Sequence, residues 1–172
     1  MEVTLENQIY TLTKKERHVG GEAPAVRIKM LNEETKVIGM LAPQIQVMIT
    51  LTRVEDFSPM LQDIMEEYKE KTVSYLITSS PTSQLNETVK QFDLDKGFVS
   101  NEFLEFASKF GLNMKDSFIA KSIFIINKEG EIVYKQLLDK CESLYDLEEF
   151  KAALHEAIHT KQKGHTHENW MG

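Results

Sequence analysis

The sequence has a single cysteine, Cys141, and fewer basic than acidic residues, 20 against 27. One cysteine cannot form an intrachain disulfide, so any thiol chemistry would have to pass through a sulfenic acid, a mixed disulfide or a second chain. The net negative charge, and the lack of a basic stripe, argue against a protein that binds along the phosphates of a nucleic acid.

Long hydrophobic runs are also missing. The N-terminus, "MEVTLENQIYTL", is polar and alternating, without the charged start and apolar run of a signal peptide, and no stretch reaches membrane-spanning length. We therefore expect a cytoplasmic protein that does not enter a membrane. The length of 172 residues predicts one domain with a sizeable core. We assign that domain to residues 1–162 and expect residues 163–172 to be a mobile, histidine-containing tail.

The spacing of apolar residues predicts strands that alternate with helices. An N-terminal hairpin and a strand at Val26–Met30 are followed by the apolar run Ile45–Leu51, which favours a central strand that is covered on both faces. Ser58 and Pro59 then suit the cap and first position of a helix. Further on, the pattern predicts an inner strand, two helices, an antiparallel hairpin and a final amphipathic helix. The second of these two helices is predicted to have Asn101 or Ser100 as its cap.

This order of elements fits a three-layer α/β sandwich of the thioredoxin type with an extra N-terminal hairpin. Several segments of the sequence resemble the thiol peroxidases, the atypical two-cysteine branch of the peroxiredoxins. They are the opening hairpin, the loop "VGGEAP", the helix "FASKFGL" and the last hairpin "AKSIFIINKEGEIVY". The resemblance covers nearly the whole chain, from "EVTLENQIYTL" to "FKAAL", and implies the peroxiredoxin type of thioredoxin-like fold.

The chemistry of that family depends on P-x-x-x-T/S-x-x-C at the start of the helix after the central strand. An arginine from the later hairpin holds the thiolate and the peroxide, and the helix N-terminus lowers the pKa of the cysteine. Laid on this sequence, the proline, threonine, cysteine and arginine positions hold Ile49, Arg53, Asp56 and Lys121. The family's second, resolving cysteine falls near Asp93, so no thiol is present there either.

An aspartate cannot be oxidised to a sulfenic acid, so the family's reaction cannot run at Asp56. A shift of one residue would place Glu55 there, with the same outcome. The resemblance therefore implies a protein that has lost the peroxidase site and acts, if at all, as a non-catalytic binding or regulatory relative. Asp56 has two interpretations: it caps the helix, or it centres a small pocket in which Arg53 and Lys121 neutralise it or hold an anion.

Cys141 supplies an alternative function, a one-cysteine peroxidase that is reduced by an external thiol. The cysteine lies in "LLDKCESLYD", between the last strand and the final helix, which matches neither cysteine position of the thiol peroxidases. Lys140 would lower the thiol pKa, whereas Asp139 and Glu142 would raise it. The simpler interpretation of Cys141 is therefore a loop thiol or a partly buried thiol.

A second alternative is metal binding by histidines. His155 and His159 are four residues apart on the predicted final helix and share a face, and His165 and His167 follow in the tail. No H-E-x-x-H motif and no cysteine partner accompany them, which favours solvent-facing histidines. Trp170, in the same tail, could dock on the domain or on a partner. The sequence otherwise predicts no cofactor.

Three phenylalanines at helical spacing, Phe103, Phe106 and Phe110, predict a core or an interface. In the thiol peroxidases this region and the active-site loop border a dimer interface, so the resemblance implies a homodimer. An unidentified protein partner is the further expectation for a chain that has lost its catalytic groups.

Overall fold

The computed structural model describes residues 1–12 and 15–160. The predicted tail therefore lies outside the described residues. The strands and helices in chain order are β1 (Glu2–Leu5), β2 (Gln8–Thr11), β3 (Ala25–Lys29), β4 (Thr35–Gly39), β5 (Ile45–Leu51), α1 (Pro59–Glu67), β6 (Thr72–Thr78), α2 (Thr82–Phe92), β7 (Val99–Ser100), α3 (Leu104–Phe110), β8 (Asn113–Met114), β9 (Phe118–Ile119), β10 (Ser122–Ile126), β11 (Ile132–Leu137) and α4 (Leu147–His159).

A five-stranded mixed sheet forms the centre, in the order β11-β10-β5-β6-β7. Strand β5 is parallel to β6 and antiparallel to β10, and all seven of its residues are buried. The apolar, β-branched run that forms β5 suits a position with neighbours on both edges and both faces. The prediction of a central strand is confirmed.

Helices and hairpins cover the two faces of the sheet. Alternate residues of β5 point to opposite sides, so Ile49 packs with α1, α2 and α4, whereas Met48 packs with α3 and the two hairpins. In β10, Ile123 and Phe124 divide in the same way. The result is the three-layer α/β sandwich that the order of elements predicts.

The N-terminal hairpin is bound to the chain that follows β11. Within the hairpin, β1 pairs with β2 around a turn in which Glu6 and Asn7 have φ of 50° and 67°. On its other edge, Thr4 N donates to Asp139 O at 2.8 Å and Cys141 N donates to Thr4 O at 2.9 Å. The hairpin thereby fixes the position of the loop that carries Cys141.

Ser58 begins α1 as predicted, because its side chain accepts a hydrogen bond from Leu61 N at 3.2 Å and Pro59 follows it. The expected cap of α3 at Ser100 or Asn101 is wrong, since the helix begins at Leu104 after Phe103. Ser100 instead belongs to β7, where its hydroxyl donates to Lys29 O. Within residues 1–12 and 15–160, no helix is both long and apolar enough to cross a bilayer.

Candidate functional site

Three segments meet beyond the C-terminal end of β5. They are the loop that runs from Thr52 through a 3-10 turn at Val54–Asp56, the residue before β10, and the loop after β11. Because β10 runs antiparallel to β5, with Ser122 opposite Thr50, the start of β10 lies beside the end of β5. This register brings Lys121 to the loop that contains Asp56.

Lys121 is the buried charge of this region. Its side chain is 2% exposed, its Nζ lies 3.8 Å from Asp56 Oδ2, and the Asp56 side chain is 36% exposed. Nζ also donates to Ser143 O at 2.7 Å and lies 4.9 Å from the centre of the Tyr145 ring. Burial lowers the pKa of Lys121, and the charge of Asp56 opposes that shift. The ion pair therefore compensates part of the cost of burying the ammonium.

Arg53 does not join this pair. Its guanidinium binds the carboxylate of Glu6 at the tip of the N-terminal hairpin, and Glu6 N donates to the carboxylate of Glu142. That hydrogen bond is the largest of the effects that lower the pKa of Glu142. Of the two basic residues in the pocket interpretation, only Lys121 forms an ion pair with Asp56 in the described residues, because the hairpin supplies a closer carboxylate for Arg53.

Asp56 does not cap α1 either. Ser58 takes that position, and Asp56 is the last residue of the 3-10 turn. Glu55 would take the cysteine position if the alignment with the family motif were shifted by one residue. Its carboxylate accepts a hydrogen bond from Ser80 Oγ at 3.3 Å. The same Ser80 hydroxyl accepts from Val54 N at 2.8 Å. Of the two carboxylates, Asp56 is the one that contacts Lys121.

The other two residues that the family resemblance singles out, Ile49 and Asp93, do not supply binding groups to the site. Ile49 is fully buried in the middle of β5 and packs in the core. Asp93 is exposed in a left-handed conformation at the end of α2. In the part of the chain that the structure describes, neither side chain forms a hydrogen bond or ion pair with Asp56 or Lys121, and no role for them follows from the geometry.

Cys141 is buried, with 1% of its surface exposed, and lies directly beside the site. Burial raises the pKa of its thiol, and this effect outweighs the hydrogen bonds with the Thr52 side chain and the Lys121 main chain, which lower it. Its sulfur lies 3.9 Å from Met114 Sδ. Such a thiol is protonated and shielded at neutral pH.

The proximity of Cys141 to Lys121 could not be read from the sequence, since the two residues lie on different segments. The only sequence signal is indirect: the loop after the last strand must return past the start of β10 if the two strands form a hairpin. The expectation of a loop or partly buried thiol understates the burial, since Cys141 belongs to the same core cluster as Val3 and Leu5 of β1 and its N–H donates to Thr4 O.

Tyr145 closes the site from the side of the loop after β11. Its hydroxyl donates to Thr50 O at 2.5 Å and lies 3.1 Å from Ser122 O. Burial, followed by the charges of Asp56 and Cys141, raises the pKa of Tyr145 well above its ordinary value. Because the phenol stays protonated, it can donate a hydrogen bond but cannot serve as an anionic base at neutral pH.

The histidines on α4 form a pair only. His155 and His159 have ring centres 4.3 Å apart and are exposed. Within residues 1–12 and 15–160, no group of three or more His, Cys, Asp or Glu side chains is placed to hold a metal ion. His165, His167 and Trp170 lie outside the described residues, so metal binding with the tail stays a prediction.

Two of the three phenylalanines in the α3 region belong to the core. Phe106 and Phe110 are buried and stack with ring centres 4.2 Å apart, while Phe103 is partly buried against the same core. Phe106 and Phe110 are therefore inaccessible to a partner. An interface at this face would have to use Phe103 and its exposed neighbour Leu104.

Comparisons with known proteins agree on the fold. No protein-family model matches the sequence, and no curated protein matches it significantly. The structure is similar to that of a peroxiredoxin-like protein from Aquifex aeolicus, with a TM-score of 0.75 and 21% identity over 91% of this chain and 97% of the other. It is also similar to a thiol peroxidase from Chromobacterium violaceum, with a TM-score of 0.74 and 12% identity over 90% and 96% of the two chains.

A mitochondrial 2-Cys peroxiredoxin from Plasmodium falciparum superposes less closely, with a TM-score of 0.62 and 14% identity over 86% of this chain and 98% of the other. At sequence identities of 12 to 21%, these comparisons show which fold the chain has. The chain has the thioredoxin-like fold of the peroxiredoxin type, as the resemblance in its sequence implies.

Proposed function

We propose that this chain is a divergent member of the thiol peroxidase branch of the peroxiredoxins that has lost the peroxidase reaction and acts by binding. The observation that carries the proposal is the ion pair of Asp56 with the buried Lys121 at the end of β5. A carboxylate stands where the family resemblance implies a thiolate. It can accept hydrogen bonds and balance the charge of Lys121, but it cannot attack a peroxide to form a sulfenic acid.

The rest of the chain offers no ready substitute for the lost thiol. Cys141 is the only cysteine, and its burial keeps the sulfur protonated and away from substrate. A regulatory relative of an active peroxidase, or a homodimeric scaffold for an unidentified protein partner, fits these groups best. We further propose a homodimer in the cytoplasm, as the family resemblance implies, with no nucleic acid, membrane or cofactor as partner.

Stopped-flow consumption of hydrogen peroxide and of an organic hydroperoxide tests this proposal, with the free thiol titrated before and after. We expect the reduced protein to consume peroxide no faster than free cysteine does, and Cys141 to stay reduced. Fast consumption that is stoichiometric with loss of the Cys141 thiol would overturn the proposal. A parallel run with Cys141→Ser separates consumption at the thiol from consumption by methionine.

The second candidate function is the one-cysteine peroxidase at Cys141. The observation in its favour is that the sulfur lies beside Thr52 and Lys121, at the same end of the fold as the family's reaction. In that reaction the sulfur would take one oxygen from the hydroperoxide and release an alcohol, and an external thiol would reduce the sulfenic acid. The loop after β11 would first have to leave β1. Turnover that Cys141→Ser abolishes would favour this candidate over the first.

A further inference from the structure

A cleft of about 430 Å³ lies at the other end of β6 from the Asp56–Lys121 ion pair. One wall is the C-terminal half of α1, the floor is the N-terminal half of β6, and the opposite wall is the chain between α2 and β7. The floor and the walls are largely apolar, with Met65, Leu76 and Leu94 among the lining residues. The two sites share no residue, so the cleft is independent of the function proposed above.

The floor of the cleft is also an open sheet edge. Strand β7 pairs only with Leu76 and Ile77 of β6, whereas β5 pairs with the whole of β6 from Thr72 to Thr78. In the described part of the chain, the backbone of Val73 and Ser74 makes no hydrogen bond outside the ladder with β5.

Successive residues of a strand direct their backbone groups to opposite edges. One of Val73 and Ser74 therefore presents its N–H and C=O groups to the cleft without a protein partner. Unpaired backbone groups next to apolar side chains favour the addition of a strand.

The charges at the cleft are mainly acidic. Glu66 pairs with Lys69 at 3.2 Å, which leaves Asp93 and Asp95 without an ion pair in the part of the chain that the structure describes. Asp95 Oδ1 accepts a hydrogen bond from Gly97 N, so this carboxylate is held in place. A ligand that combines apolar and positively charged groups is complementary to these walls.

We propose that the cleft binds an extended peptide segment of a partner protein, which adds as a strand to the N-terminal half of β6. The segment would place one apolar side chain against Met65 and Leu94 and set lysine or arginine residues beside Asp93 and Asp95. Backbone hydrogen bonds at Val73 or Ser74 supply the pairing, and the acidic side chains select the charge of the partner.

The test uses fluorescein-labelled heptapeptides of sequence TVKXKVT, in which X is valine, leucine, methionine, phenylalanine or tryptophan. Binding to the full chain is measured by fluorescence anisotropy. At least one peptide should bind with Kd below about 1 mM. Its charge-reversed form, TVEXEVT, and a form with N-methylated backbone amides should each bind about ten-fold more weakly or worse. On binding, the amide of Val73 or Ser74 should become protected from hydrogen exchange.

Matched variants of the protein locate the site. The double variant Asp93→Asn with Asp95→Asn removes two negative charges. Asparagine tolerates the left-handed backbone at position 93 and can still accept the hydrogen bond from Gly97 N at position 95. This variant should weaken binding about five-fold at low salt. Asp63→Asn with Glu70→Gln removes two charges that do not line the cleft and should change Kd less than about two-fold. Ser74→Trp, which fills the cleft, should abolish binding.

Several results would overturn the proposal. One is the absence of binding by all five peptides. Another is equal binding of the charge-reversed or N-methylated forms, or equal effects of the two double variants. Self-association that Ser74→Trp abolishes would assign the cleft to a second copy of the chain. A gain in peptide affinity of about ten-fold or more on Trp170→Ala would assign it to the chain's own C-terminal segment instead.

Discussion

Lys121 Nζ and Asp56 Oδ2 lie 3.8 Å apart, and the lysine is almost fully enclosed while the aspartate is about one-third exposed. The pair is therefore asymmetric. Lys121 cannot be solvated if Asp56 is lost, whereas Asp56 can be solvated if Lys121 is lost. Among residues 1–12 and 15–160, the ammonium also contacts Ser143 O and the Tyr145 ring, and both are weaker partners for a positive charge than a carboxylate.

Removing the aspartate should cost more than removing both partners. We expect Asp56→Asn to lower the free energy of unfolding by about 1 to 2 kcal/mol, since the buried Lys121 ammonium loses its counter-ion. The cost is at the lower end for a buried ion pair because Asp56 is partly exposed. Lys121→Met with Asp56→Asn should recover part of that loss. Urea denaturation of the two single variants and the double variant gives the coupling energy.

Lys151 and Glu67 supply the control. Their side chains are both half exposed, with Nζ and Oε1 3.1 Å apart. Glu67→Gln should change the free energy of unfolding by less than about 0.5 kcal/mol, because water replaces the lost partner. An equal cost for Asp56→Asn and Glu67→Gln would contradict the assignment of Lys121 as a charge that depends on Asp56.

Cys141 should react with thiol reagents only when the chain opens around it. Its burial and its raised pKa both suppress the thiolate at the surface. In native conditions the reaction with 5,5′-dithiobis(2-nitrobenzoate) should be at least about a hundred-fold slower than in urea, with one thiol per chain in both cases.

A variant of the hairpin tip distinguishes local from global opening. Glu6→Ala removes the contact with Arg53 but leaves the backbone hydrogen bond between Thr4 and Cys141 in place. If release of the hairpin exposes Cys141, this variant should accelerate labelling several-fold while the urea midpoint changes little. Rapid labelling of the unmodified protein at pH 7 would show that the sulfur is accessible.

The protein should lose stability at alkaline pH. Burial raises the pKa values of Cys141, Tyr134 and Tyr145 above their ordinary values, and that of Tyr134 reaches about 12. The unfolded chain therefore releases these protons first, so the free energy of unfolding falls as pH rises from about 9 through about 12. Lys121 acts in the opposite direction, because its lowered pKa makes the unfolded chain hold more protons.

Single variants separate these contributions. Tyr134→Phe should reduce the loss of stability between pH 8 and pH 11 by roughly 1 to 2 kcal/mol. Lys121→Met should make that loss steeper, since it removes the group with the opposite sign. Urea denaturation at a series of pH values measures both effects. A pH dependence that neither substitution alters would refute the assignment.

Gly39 and Gly20 form a matched pair for the packing of the β3–β4 hairpin. Both have a left-handed backbone, with φ of +85° and +95°, but a Cβ at Gly39 would overlap Pro24 O whereas one at Gly20 would meet no atom within 4 Å. Gly20→Ala should cost about 1 kcal/mol from the backbone conformation alone. Gly39→Ala should cost about 2 kcal/mol more, because the strand must move. Thermal unfolding of the two variants would test this difference, and equal costs would contradict it.

The succession of strands and helices could be predicted because local patterns specify it. The run Ile45–Leu51 has no strict polar alternation, which favours a strand covered on both faces. Ser58 and Pro59 are adjacent in the sequence and supply the cap and the first residue of α1. The prediction for the start of α3 is wrong because the side chains of Ser100 and Asn101 donate hydrogen bonds to Lys29 O and Ser80 O, which are far away in the sequence.

At the candidate site, the sequence alone determined that no sulfenic acid can form at Asp56, since an aspartate has no sulfur, and that Cys141 is the only thiol. Which charges meet was decided by the tertiary structure. The antiparallel register of β5 and β10 brings Lys121 to Asp56. Glu6 of the N-terminal hairpin binds the Arg53 guanidinium, so Arg53 does not pair with Asp56. Cys141 likewise pairs and packs with β1, which is far from it in the sequence. Contacts of this kind are set by strand pairing across long sequence separations, for which no local pattern of residues carries a signal.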